Sequence, residues 1–337
     1  MVPQFIGILL LFFGTSIARW IAGLVLIGVA SAVVWPTTMA LILDAVPPDQ
    51  RRGYLGLTSL GIIIGMLLGP TLGGLAYSHG GNRALWGMVL GVTVADLILR
   101  ILIVEPRANQ SASDAKRGKR TPLIFWSLLR SPRALTALWA TFALATALTS
   151  FDGSLAIHVN DAFGWDAQST SLLWIAMVLP GLATPLVGWM VDRYGGARYL
   201  TAVGFFISAI CFICLRFVTA NTTGQKALLC TLLALIGAFL GTLIPLFSSE
   251  ISRVASETQQ QQSQTLDARG VFAQSGGLWW AIYTLGLAVG PLWGGFAQRD
   301  ASWAVMTLSL GVFCAVTSVP VFLHTGGWLW ASHGIPT

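Results

Sequence analysis

Long apolar runs alternate with short polar connections along the whole chain. Ten of them come near the ~20 residues that a helix needs to cross a bilayer. They lie at about 3–18, 21–42, 54–77, 84–104, 134–157, 169–191, 199–218, 227–248, 271–296 and 302–323. The pattern predicts an all-α membrane protein of about ten transmembrane helices. The first run, at about 16 residues, spans the hydrocarbon only marginally. The connection from Arg107 to Arg133 is Ser-, Asp-, Gly- and Lys/Arg-rich and holds little that could pack. It divides the series into an incomplete four-span bundle (1–106), a basic linker (107–133), a six-span bundle (134–323) and a tail (324–337).

One pattern occurs in both bundles. Gly65-Met-Leu-Leu-Gly69-Pro70-Thr-Leu-Gly73-Gly74 and Gly286-Leu-Ala-Val-Gly290-Pro291-Leu-Trp-Gly294-Gly295 share the form GxxxGPxxGG, 221 positions apart. Gly61, Gly65, Gly69 and Gly73 recur every fourth residue and line one stripe of a helix. Such a stripe lets a neighbouring helix approach backbone to backbone. Pro70 and Pro291 each remove an amide donor at the same point and predict a bend. A single copy is explained by packing alone. Two copies point to two homologous halves, as transporters have.

Only 9% of the 337 residues are charged, against about 25% in soluble domains. The net charge of +6 therefore reports orientation in a membrane and not nucleic-acid binding. With the chain start placed in the cytoplasm, thirteen lysines and arginines fall inside and five outside (Arg19, Arg83, Arg216, Lys226, Arg299). That excess puts both ends in the cytoplasm. Asn221-Thr-Thr223 is then a glycosylation sequon on the outer side. Cys211, Cys214, Cys230 and Cys314 all lie in apolar runs and read as small core residues. The four histidines are scattered, and HExxH, GxSxG and Walker patterns are absent, so neither an intramembrane enzyme, a metal, a cofactor nor ATP-driven transport is expected.

Several motifs resemble the major facilitator superfamily, in particular its drug:proton antiporter branch and that branch's vesicular-amine-transporter-like fungal members. GxxxGPxxGG from Gly65 to Gly74 is similar to the antiporter motif of the family's fifth helix, with an echo in the eleventh. Gly188-Trp-Met-Val-Asp192-Arg193-Tyr-Gly195-Gly196-Ala-Arg198 resembles the loop motif GxxxDRxGxxR after the eighth helix. Asp44 to Gly53 resembles the loop after the fourth helix, and Asp96-Leu-Ile-Leu-Arg100 with Glu105 the end of the sixth. The resemblance implies two pseudo-symmetric helical bundles, here 4 + 6, with the family's first two helices lacking. It implies a monomeric multi-pass transporter of small organic molecules, drug-, toxin- or amine-like, in the plasma membrane or a vacuolar or vesicular membrane, exchanging its substrate for protons. A remnant that folds in the lipid bilayer without transporting is the alternative. The resemblance also implies a cytoplasmic gate at Asp192, Arg193 and Arg198, with Asp44 and Arg52 in the loop after the family's fourth helix.

Ionisable groups at bilayer depth are costly, so each needs a partner or a role. Asp96 and Arg100 are four apart and face one side of a helix, either as a neutralised pair or as a charge relay. Asp152 has no basic residue within four positions. It reads as a proton carrier or as a solvated helix end. His158 and Asp161 just beyond it read as loop residues. Glu250 reads as a gate partner or an interfacial acid. Trp279, Trp280, Tyr283 and Trp293 share the span of the second repeat. Tyr283 is the one expected in a cavity, where stacking or cation–π contact would suit a flat or cationic substrate, because its hydroxyl needs a partner.

Overall fold

The computed structural model describes residues 2–45, 51–102, 125–194, 197–261 and 268–326. The described residues are helical almost throughout. In chain order the helices are α1 (Val2–Phe12), α2 (Ile17–Ala45), α3 (Arg51–Leu102), α4 (Phe125–Arg130), α5 (Pro132–Thr149) and α6 (Phe151–Phe163). They continue as α7 (Ala167–Val178, extended by a 3-10 turn over Leu179–Ala183), α8 (Thr184–Tyr194), α9 (Ala197–Leu215), α10 (Thr223–Gln261), α11 (Ala268–Asp300) and α12 (Trp303–His324).

Six stretches among the described residues are long and apolar enough to cross a membrane: 17–34, 64–102, 132–163, 198–215, 223–258 and 303–324. The exterior they present is apolar, with Ile101, Ile157, Phe206 and Val316 all exposed. Helices suit this setting because they satisfy their own backbone hydrogen bonds where no water can. Three expectations change. The run at 3–18 forms only the eleven-residue α1, which covers roughly 17 Å at 1.5 Å per residue. The run at 134–157 is divided into two helices at Ser150, whose own backbone stays right-handed helical (φ −58°, ψ −22°), and the second runs on to Phe163. His158 and Asp161 are consequently helical residues of α6, which extends to a left-handed Gly164 (φ 67°) that caps its end.

The chain divides into two compact units, residues 1–119 with 167–172, and 120–166 with 173–337. In the first, α1 and α2 cross where Gly7 meets Gly23: a Cβ on Gly7 would stand 2.7 Å from the Gly23 carbonyl oxygen. Trp20 and Trp86 meet edge to face, 6.4 Å apart. Gly81 (φ 62°, ψ −156°) breaks α3 into two helices, a backbone conformation that favours glycine.

In the second unit, two helix pairs pack most closely. Helices α5 and α11 form one pair, and α9 and α12 the other, where a Cβ on Gly311 would stand 3.0 Å from the Ala209 carbonyl oxygen. Helix α10 packs on α5, α9 and α11. Phe151, Phe205, Phe212 and Phe247 fill the centre, fully buried. Phe151 and Phe212 stack at 5.4 Å and 8°.

Candidate functional site

The second GxxxGPxxGG copy sits on α11, where three of its glycines face α5. Cβ atoms on Gly286 and Gly290 would lie 2.6 Å from the Ala145 Cβ and 2.6 Å from the Thr146 carbonyl oxygen. One on Gly294 would run into the Ser150 backbone, with its carbonyl carbon at 3.0 Å. Only hydrogen fits in these gaps, so the two backbones touch. The Thr146 hydroxyl donates across the seam to the Gly286 carbonyl at 3.4 Å. A Cβ on Gly295 would meet no described atom of a neighbouring element within 4 Å, and Pro291, inside the helix, is half-buried.

The first copy has different surroundings. Among the described residues nothing lies within 4 Å of a Cβ on Gly61, Gly65 or Gly69. Gly73 stands 3.4 Å from a Leu85 methyl, and Gly74 abuts Ser171 and the Ala167 carbonyl. Pro70 lies inside α3.

Directly after the glycine seam, Asp152 opens α6 and is exposed. Tyr283 is buried on α11, its ring stacked on Trp279 (5.3 Å, 15°) and Trp280 (5.4 Å, 25°). Helix α6, which Asp152 opens, packs on α11, which carries Tyr283. Two candidates from helices 131 positions apart thus share one region, with an aromatic face beside them. Trp293 takes no part in that face. Its indole nitrogen donates to Ser309 at 3.0 Å and its ring packs on Phe313.

Asp96 and Arg100 pair with each other in the other unit. The Arg100 Nε donates to both carboxylate oxygens at 3.2 Å, with both side chains partly exposed. The gate candidates are only partly described. The side chains of Asp44, Arg52 and Asp192 lie outside the described residues, and Arg193 is exposed in the last turn of α8. The Arg198 Nε donates to the Thr325 carbonyl at 2.7 Å.

At that same end a buried ion pair joins distant parts of the chain. Arg133 Nε meets Glu250 Oε1 at 2.6 Å, and its Nη1 meets the more exposed Glu257 at 3.0 Å. The same Oε1 of Glu250 accepts the Gly326 amide at 3.0 Å. Sequence reasoning placed Arg133 among the loop cations. Its acid lies 117 positions away, and no local spacing signals the pair.

The major facilitator superfamily model matches residues 1–266. The chain belongs to the Major Facilitator Superfamily. It is 26% identical over 375 residues to the MFS-type transporter ppzB of Metarhizium majus, covering 96% of this chain and 82% of that one. It is 26% identical over 307 residues to the multidrug resistance protein MdtG of Serratia proteamaculans, covering 90% of this chain and 68% of the relative. Among solved structures, a peptide transporter, POT, in complex with alafosfalin superposes with a TM-score of 0.63 at 15% identity, over 97% of this chain and 79% of that chain. This superfamily member is therefore a multi-pass membrane protein of small-molecule transport, with the family's helical fold.

Proposed function

We propose that this superfamily member is a proton-coupled antiporter of small organic molecules, working as a monomer by alternating access. The observation that carries the reading is the packing of α6, which Asp152 opens, against α11, whose Tyr283 ring stacks on Trp279 and Trp280. A flat or cationic molecule would find an aromatic face for its body and a carboxylate for its charge. A proton taken up by Asp152 would cancel that attraction, so proton and cargo compete for one group. Asp96 is less suited to that exchange, because Arg100 already holds its charge.

The glycine seam supplies the moving part. At Gly286, Gly290 and Gly294 α11 offers no side chain to the α5 contact, which only small groups such as the Ala145 methyl and the Thr149 hydroxyl enter, so the pair can shift with little repacking. Pro291 leaves α11 one hydrogen bond short there and eases bending. We assign the corresponding role to Gly61, Gly65, Gly69, Pro70, Gly73 and Gly74 in the other unit. We assign a gating role on the cytoplasmic side of a plasma or vesicular membrane to Asp192, Arg193 and Arg198 in the unit of α11 and, separately, to Asp44 and Arg52 in the other. The multidrug name of one relative agrees with a drug- or amine-like cargo.

The reading is tested in proteoliposomes holding the purified chain, with ethidium as the probe. An imposed pH gradient should drive ethidium against its concentration gradient, and an uncoupler should stop it. Ethidium movement that ignores the pH gradient would refute proton coupling. No movement of any probe cation would favour a folded, non-transporting remnant.

A further inference from the structure

The end of the second unit that carries Arg133 holds more than a helix start. Leu128 of α4 is buried against Ala134, Val254 and Ala255, so the segment leading into α5 is seated on the end of α10. Ser131 caps α5, its hydroxyl accepting the Ala134 amide at 3.4 Å. Two residues on, Arg133 reaches Glu250. That acid is 6% exposed, and its Oε1 has two donors, Arg133 Nε at 2.6 Å and the Gly326 amide at 3.0 Å. Beside it, Thr325 is 3% exposed and its carbonyl accepts Arg198 Nε from the start of α9. Gly326 is left-handed (φ 78°), which turns the chain out of α12 at the point where Glu250 grips it.

We propose that Glu250 is the shared catch of a clasp joining the segment that enters α5 to the segment that leaves α12. A single oxygen serves both. Arg133 compensates and orients the buried carboxylate, and the carboxylate then holds Gly326. A buried acid that loses its cation must turn towards water or take up a proton. Turning away withdraws the acceptor from Gly326, and protonation leaves it only the weaker acceptor of a neutral acid. Movement of the segment before α5 is thereby passed to Gly326 through the Glu250 carboxylate. Arg198 grips only the neighbouring carbonyl, so it limits how far the released end moves. The device does not depend on what is carried.

Hydrogen exchange on the full chain in detergent micelles tests this. The readout is the peptide ending at Gly326, with the α9 segment 205–212 as the internal standard for an intact core. E250Q and R133A should each raise exchange at that peptide at least tenfold with 205–212 unchanged. R133A added to E250Q should raise it no further, and E257A should leave it as in the unaltered chain. Unaltered protection at Gly326 in R133A, or additive effects in the double variant, would overturn the clasp. If R133A also loosens 205–212, R133K decides, since lysine keeps the charge but not the Nε geometry. Release at Gly326 with an intact core upholds the proposal, and full protection there overturns it.

Discussion

The His158 imidazole lies flat on the Trp303 indole, ring centres 3.9 Å apart and planes within 3°. Its Nε2 is 3.0 Å from the Val218 carbonyl, which can only accept, so that nitrogen carries the hydrogen. Trp303 in turn donates to the Leu215 carbonyl at 3.0 Å. One stack thus joins α6, the turn after α9 and the start of α12. The nearby Lys226 ammonium sits 5.7 Å from the Phe163 ring and 5.6 Å from that of Trp165, which fastens the end of α6 to α10.

Replacing His158 by alanine orphans a buried carbonyl, which costs roughly 1–3 kcal/mol. It also removes a stacked ring, worth about 0.5–1.5 kcal/mol. H158A should therefore unfold at a clearly lower temperature in detergent, followed by intrinsic fluorescence. H158Q, whose amide can still donate to Val218, should recover part of the loss. Equal melting of H158A and the unaltered chain would show that the stack contributes nothing.

The two glycine repeats should respond in opposite ways to the same substitution. At Gly290 a methyl would meet the Thr146 carbonyl at 2.6 Å and the Ser150 amide at 3.0 Å, both backbone atoms that cannot swing aside. G290A should reduce the yield of monodisperse protein in gel filtration and its melting temperature. At Gly69 no described atom is within 4 Å. G69A should be neutral, or stabilising by up to ~1 kcal/mol because alanine is the better helix former. Equal sensitivity at the two sites would contradict the packing described here.

Arg133 holds two acids of very different exposure, and their removal should differ accordingly. Glu257 is 49% exposed at the side chain, where an ion pair contributes about 0–1 kcal/mol. Glu250 is 7% exposed, and deleting it leaves Arg133 without its closest partner. Breaking a buried pair from one side costs roughly 3–5 kcal/mol. SDS titration of the reconstituted protein should show E250A unfolding well before E257A.

Much of the fold is local and could be read from the chain. Apolar runs mark helices, and the four-residue spacing of Asp96 and Arg100 pairs them on one face. Gly286, Gly290 and Gly294 form a usable stripe for the same reason. The rest depends on what the stripe meets. The first repeat has the same spacing, yet its first three glycines have no described neighbour, while Gly7 and Gly23, in no motif, make a backbone crossing. Arg133 with Glu250 and His158 with Trp303 are joined across well over a hundred positions, which no helical period can signal. The helix runs past 157 to Phe163 even though Thr149-Ser150-Phe151-Asp152-Gly153-Ser154 interrupts the apolar run, and so His158, expected in a loop, lies on a buried helix face.

Proton release on binding puts the role of Asp152 to the most direct test. The purified chain in weakly buffered detergent is mixed with ethidium while a pH indicator is followed. The account predicts that the unaltered chain gives up protons as ethidium binds, and that D152N releases none. Release of as many protons from D152N as from the unaltered chain would contradict it.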